Sequence, residues 1–409
     1  MSLFDRFLTA ALRRGTLIVI DHLGASRTFG VAEAGWPDVV IRFTDSRVPR
    51  DIALQPDLGA GEAYMNGRLV IEQGDVLDLT TLIYRNNPWE QGGTFDDPSL
   101  MRRIFRSAKG RLARINWARQ SKRNVAHHYD LDDRLYELFL DADRQYSCAY
   151  WTDASNTLET AQQDKLAHIA AKLALKPGQR ILDIGCGWGG MALYLNRVAD
   201  VDVVGVTLSE EQIKVARERA QAAGVADRVR FELVDYRAVT GRFDRIVSVG
   251  MFEHVGPTSY QTFFNKCRNL LTEDGVMLLH TIGRMGTPGV TDGWTAKYIF
   301  PGGYSPSLSE IVKASEKASL IATDVETLRM HYAYTLRQWY ARVVAHRAEI
   351  EALYDARFYR MWQFYLAGAA TSFENGSMCN YQIQFARRRD TLPITRDYMT
   401  SAEVELREQ

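Results

Sequence analysis

The stretch from Arg180 to Gly190 constrains this chain most tightly. It begins with an apolar run, Arg180 to Ile184, that has the length and make-up of a short buried strand. It breaks into glycines at 185, 187, 189 and 190, then resumes as a helical pattern from Met191 to Val198. Strand, glycine turn and helix open a mononucleotide-binding α/β unit, because glycines let backbone N–H groups approach a ligand that a Cβ would exclude. Gly185, Gly187 and Gly190 also satisfy the nicotinamide-dinucleotide spacing. A dinucleotide site wants an acid at the end of the second strand, roughly 20 residues on, to hold the ribose diol. Here Val203 to Ser209 carries Thr207 at that place, and the nearest acids, Glu210 and Glu211, fall in the following helix. The balance favours S-adenosylmethionine, with a nicotinamide cofactor and a purely structural glycine turn as the alternatives.

From about residue 160 the pattern repeats strand and helix, which predicts a mostly parallel sheet covered on both faces. Strands are expected at Ile181–Gly185, Val203–Thr207, Val229–Val234, Phe243–Val249, Val276–Thr281, Thr323–Leu328 and Tyr381–Ala386. Seven strands with the glycine turn after the first is the order of a class I, Rossmann-like S-adenosylmethionine-dependent methyltransferase. An insertion between the last two strands, about 330–373, is dense in aromatics at helical spacing. Most of these belong to a core, and such a segment suits a greasy substrate.

Residues 1–95 read as a smaller α+β domain. An amphipathic helix over Met1–Leu12 precedes short strands and turns at Thr16–Ile20, Val39–Phe43, Gly59–Gly67 and Leu69–Ile71. A polar stretch with Gly and Pro, Asn86 to Pro98, forms the boundary. Residues 96–128 then change character. Between Met101 and Arg123 lie nine basic residues and no acid, with Ile104, Phe105, Ala108, Leu112 and Ile115 at helical spacing. A basic amphipathic linker helix suits an anionic membrane surface; a solvated linker, or a helix against an acidic domain, is the alternative. The catalytic domain is expected over 129–409.

Composition excludes more than it selects. The 409 residues carry no formal net charge, so nothing global points to nucleic acid. The four cysteines are scattered without a CxxC pair, which indicates neither a metal site nor a disulfide framework and fits a reducing cytoplasm. There is no signal-peptide core, and no apolar run of about 18 or more residues to span a membrane.

Four local clusters stand out: Gln145–Trp151, Val249–Gly256, Leu279–Gly283 and Met330–Leu336. The second and third follow predicted strands whose carboxyl ends form the ligand crevice of an open parallel sheet, so Glu253 and His280 converge on one cavity. Read singly, Glu253 could be a helix cap, His280 a hydrogen-bonded crevice residue, and Cys148 a small buried apolar residue. Taken together with Leu182–Gly190 and Tyr298–Gly303, these phrases resemble the cyclopropane-fatty-acyl-phospholipid synthases and, more distantly, the mycolic acid cyclopropane synthases.

The resemblance implies a lipid-binding N-terminal domain, a homodimer, and a cytoplasmic enzyme peripherally associated with the inner face of the membrane. Its substrate would be an unsaturated acyl chain of a bilayer phospholipid. A catalytic set of Cys148, Glu253, His280, the backbone of Ile282, and Tyr332 would hold bicarbonate, with His280 at least partly protonated when the anion is bound. Tyr146, Ser147, Gly185 and Gly187 would meet the methionine end of S-adenosylmethionine. Thr207 and Gln212 would meet the ribose, and Tyr236 would flank adenine with Asp235 nearby. Asn375–Tyr381 and Arg387–Tyr398 depart from the family pattern and bear on chain-position preference. Competing expectations are a methyltransferase leaving a branched or methylene chain, and a non-catalytic lipid-binding protein on the same fold.

Overall fold

A computed structural model of the chain describes residues 3–93 and 131–407. The basic segment at 101–123 lies outside the described residues. The described part divides into two compact units.

The first unit joins the described N-terminal residues to Thr291–Ile299 and Ala333–Met378. Its sheet contains β1 (Gly15–Ile20), β2 (Ser26–Val31), β3 (Asp38–Phe43) and β4 (Leu69–Gln73), in the order β2-β1-β3-β4. The β1–β3 pair is parallel, and the β1–β2 and β3–β4 pairs are antiparallel. Alternation sets the buried face: Leu17 and Val19 of β1 point inward with Val39, Ile41 and Phe43 of β3. Phe4 and Leu8 of helix Leu3–Ala11 are buried too, with Phe4 edge-on to Phe43 at 5.6 Å.

Gly59–Gly67, expected among strands and turns, lies mostly in the helix Pro56–Met65, whose proline occupies the first turn. The 20-residue helix Ala356–Asn375 packs on this helix and on Val76–Arg85. The Gln363 amide accepts from the Tyr64 hydroxyl at 2.7 Å and donates to Tyr340, whose hydroxyl donates to Asp75. Most of the aromatic segment read as an insertion in the catalytic domain is therefore counted with the N-terminal residues.

The second unit is built on a seven-stranded sheet. Its strands are β5 (Arg180–Ile184), β6 (Asp202–Thr207), β7 (Val229–Leu233), β8 (Phe243–Val249), β9 (Leu271–Arg284), β10 (Ile321–Leu328) and β11 (Met378–Ala386). Their order is β10-β11-β9-β8-β5-β6-β7. The run from β9 to β7 is parallel, and β10 pairs antiparallel with β11. All seven expected strands are present. β9 begins earlier than expected, at Leu271, with a register shift against β8 before Val276. Ile181, Leu182 and Ile184 are buried on both faces of β5, as a central parallel strand requires. Order reverses at β5, between β6 and β8, and a ligand crevice is expected at that switch point. No helix among the described residues is long and apolar enough to cross a membrane.

Candidate active site

A cavity of about 170 Å³ opens at the carboxyl ends of β5, β6 and β8. Tyr146, Ser147, Gly185, Gly187, Thr207, Gln212, Asp235 and Tyr236 all line it. These residues come from separate loops, and the sheet's switch point gathers them.

The glycine turn is held by two bonds from the N–H groups of Gly185 and Cys186 to the Val206 carbonyl, at 2.9 and 3.1 Å. Gly185 has φ +84°, and a Cβ there would stand 2.7 Å from Met251. Gly187 has φ +53°, and a Cβ there would meet no protein atom within 4 Å on the cavity wall. The space it would take is ligand space. At the end of β6 the Thr207 hydroxyl donates to Gln212 Oε1 at 3.1 Å and accepts from the Ser209 N–H. The Asp235 carboxylate accepts from the Arg237 backbone and guanidinium at 2.6–2.9 Å. Burial raises the Asp235 pKa, but those bonds outweigh it and hold the group below its usual value. Tyr236 sits edge-on to Phe263 at 5.4 Å, and burial raises its phenol pKa.

Asp183, Lys165 and His254 are among the lining residues that the sequence reading did not name as site residues. Asp183, on β5, is buried and raised to about 7 by that burial, with Oδ2 lacking a partner. It lies inside a motif already singled out, but its apolar neighbours mark it as strand rather than site. Lys165 and His254 also line the cavity. His254 directly follows Glu253, and burial lowers it to about 4.

None of Cys148, Glu253, His280, Ile282 and Tyr332 lines this cavity, although their neighbours Ser147, Met251 and His254 do. Glu253 and Ile282 meet directly, the Ile282 N–H donating to Oε1 at 2.6 Å, while Oε2 is buried without a partner. Burial raises the Glu253 carboxyl to about 7, against the lowering bonds from the backbone and Thr281.

His280 lies on β9 with both ring nitrogens near amides of β11, Asn380 at 3.0 Å and Gln382 at 3.1 Å. A neutral imidazole donates from one nitrogen and accepts at the other, so one of these amides must present its oxygen. Burial, reinforced by Lys165 and Lys172, pushes the His280 pKa well below its ordinary value. Burial therefore works against the protonation expected of His280 when an anion is bound.

Cys148 is a buried thiol raised by burial, hence not a thiolate. Tyr332 is buried at the start of helix His331–Ala345. Its neighbour His331 accepts at Nδ1 from the Trp151 N–H at 2.9 Å, which ties this helix start to the 145–151 loop.

The switch-point cavity, the glycine cradle and the unpartnered buried carboxylate Asp183 fit S-adenosylmethionine, and the strand order is that of a class I methyltransferase. Coclaurine N-methyltransferase, 18% identical, shares the fold with a TM-score of 0.65. The chain is an S-adenosylmethionine-dependent methyltransferase. Residues 117–383 match the mycolic acid cyclopropane synthetase family, and the chain belongs to it. It is 40% identical over 358 residues to the cyclopropane-fatty-acyl-phospholipid synthase of Escherichia coli K12, covering 88% of this chain and 90% of that one. It is 41% identical over 286 residues to a probable fatty acid methyltransferase of Pseudomonas putida, covering 67% and 73% respectively. The structure of the cyclopropane synthase MmaA2 from Mycobacterium tuberculosis matches with a TM-score of 0.62 and 34% identity, over 65% of this chain and 98% of that one. Cyclopropane synthase CmaA1, solved with SAH and CTAB, matches at 0.61 and 35%, over 64% and 97%.

Proposed function

We propose that this chain makes cyclopropane rings in the unsaturated acyl chains of membrane phospholipid. The supporting observation is Glu253, a buried carboxyl raised to about 7 with one oxygen fixed by Ile282 and the other unpartnered. An isolated cis double bond is a weak nucleophile with no acidic proton, so it reacts only with a strong electrophile. When bound, S-adenosylmethionine supplies that electrophile as its sulfonium methyl. The double bond's electron pair would form the new carbon–carbon bond as the sulfur–methyl bond breaks, its electron pair remaining on the departing thioether, and would leave a cation on the neighbouring carbon. A proton must then leave the added methyl, whose C–H electrons close the ring, while water is kept away from the cation.

Bicarbonate supplies a base of low nucleophilicity when bound. Glu253 fits such a group, because Oε2 can accept from its hydroxyl. The Ile282 N–H is already given to Glu253, and both His280 nitrogens face β11 amides. These groups reach the anion only by sharing or exchanging those partners. Cys148 is a neutral wall residue in this reading, and Tyr332 is an aromatic face and hydroxyl donor. Around the cofactor, Gly185, Gly187, Tyr146 and Ser147 hold the methionine end, while Thr207, Gln212 and Tyr236 hold the nucleoside. Asp235 acts by fixing Arg237 beside Tyr236.

A bilayer phospholipid cannot diffuse through water to the site, so the enzyme meets it at the cytoplasmic face of the membrane as a peripheral protein. The N-terminal unit and the basic 101–123 segment make the lipid contact, and the working form is a homodimer.

The likeness to the P. putida relative favours a second reading, methyl transfer without ring closure. Bicarbonate dependence separates the two. Purified protein is incubated with cis-unsaturated phospholipid vesicles and S-adenosylmethionine in carbon-dioxide-free buffer, with and without added bicarbonate. Cyclopropane product that rises on adding bicarbonate is expected; methylated product formed equally without it would overturn the proposal.

A further inference from the structure

Lys165 belongs to the helix Leu158–Leu173 and is 2% exposed, yet it reaches the cofactor cavity. Its ammonium donates to the Ser147 hydroxyl at 2.7 Å. Three residues earlier, and so on the same helix face, Gln162 donates to the carbonyls of Gln145 and Ser147 at 3.2 and 3.1 Å. Together they read the loop that the sequence assigns to the methionine end of the cofactor.

A buried ammonium needs a counter-charge, because desolvation otherwise costs several kcal/mol. Among the described residues no carboxylate lies within ion-pairing distance of Lys165. Asp141, the carboxylate that acts most strongly on it, accepts from the backbone and side chain of Gln145 and from the Asp143 N–H. Asp143 is paired with Arg219. The ammonium has three donors and Ser147 takes one, leaving two for the cavity.

We propose that Lys165 is a binding residue for the carboxylate of the cofactor's amino-acid end, with Ser147 as the hydroxyl that aims it. This rests on the S-adenosylmethionine reading of the cavity. Burial lowers Lys165 to about 8, as an ammonium waiting for its anion would show. Carboxylate entry supplies the missing charge, and the cation is then held by ligand and hydroxyl together.

The test compares two ligands by calorimetry. S-adenosylhomocysteine carries the carboxylate; methylthioadenosine keeps the nucleoside and thioether but lacks the amino-acid end. Lys165→Met should weaken S-adenosylhomocysteine by about 10- to 100-fold, the loss expected of one charge-assisted hydrogen bond. It should leave methylthioadenosine unchanged. Ser147→Ala, which keeps the ammonium and removes only its hydroxyl partner, should show a smaller loss of the same selectivity and serves if Lys165→Met does not fold. Equal weakening of both ligands would make Lys165 a structural residue and overturn the proposal. Unchanged binding of both ligands, with a raised bicarbonate requirement, would assign the charge to the other anion and also overturn it. Failure of wild-type protein to bind either ligand would instead reject the cofactor reading of the cavity, a separate result.

Discussion

With its carboxyl raised to about 7, Glu253 changes charge close to neutral pH. If the ionised carboxylate orients the base, kcat/KM of the wild type rises as pH increases through about 7, because below that value the group is protonated. Glu253→Gln preserves the shape and the Ile282 contact but removes the charge. It should lower turnover by at least about 100-fold and flatten that pH profile. Binding of S-adenosylhomocysteine should stay unchanged, since Glu253 does not line the cofactor cavity. The sequence placed Glu253 in one cavity with the cofactor because it follows a strand whose end faces the crevice; in the structure it bonds Ile282 and does not line that cavity. Lys165 was not legible in the sequence, since a lysine on a helix ordinarily reads as solvated, and only packing shows it 2% exposed. Likewise, nothing local told that both nitrogens of His280 would be met by Asn380 and Gln382, a hundred residues later in the chain.

The turn after β5 and the helix Leu158–Leu173 do most to position the site. At Gly187 an alanine would pay for a left-handed φ of +53° and project its methyl into the cavity. Gly187→Ala should weaken S-adenosylhomocysteine by about 10-fold or more by calorimetry, with about 1–2 kcal/mol of backbone strain besides. The helix is also anchored by ion pairs beyond its cavity-lining residues. Lys172 pairs with Glu326 and lies 3.9 Å from Asp324, both on β10, while His168 bridges Glu326 and Glu403 at 2.7 and 2.9 Å. Lys172→Met leaves those β10 carboxylates short of a buried cation and should cost about 3 kcal/mol in urea unfolding.

Burial raises Glu326, but His168 and Lys172 outweigh it and hold the carboxyl at about 2. Its folded value is below its unfolded one of about 4.5, so this contribution is full above pH 4.5 and lost as pH falls through 2. Unfolding free energy should therefore drop over that window in the wild type and less steeply in Glu326→Gln. The strands were legible because a buried parallel sheet writes continuous apolar runs. β2, with the polar sequence Ser26–Val31, and the helix Pro56–Met65 were not, as their identity depends on the partners they pack against.

At the scale of the whole molecule, the aromatic run near the C-terminus had a clear local meaning and an unclear destination. Helical spacing marked it as core, but spacing does not say whose core, and most of it packs in the unit that begins the chain. The cofactor side was readable because motif residues cluster at the carboxyl ends of the central strands β5, β6 and β8.

What separates ring formation from simple methylation is the loss of one proton from the transferred methyl. Mass spectrometry of unsaturated phospholipid vesicles incubated with the protein, bicarbonate and S-adenosylmethionine bearing a trideuterated methyl counts that loss directly. A product heavier by one CD₂ group and resistant to hydrogenation is the expected result; retention of all three deuteriums would contradict ring closure.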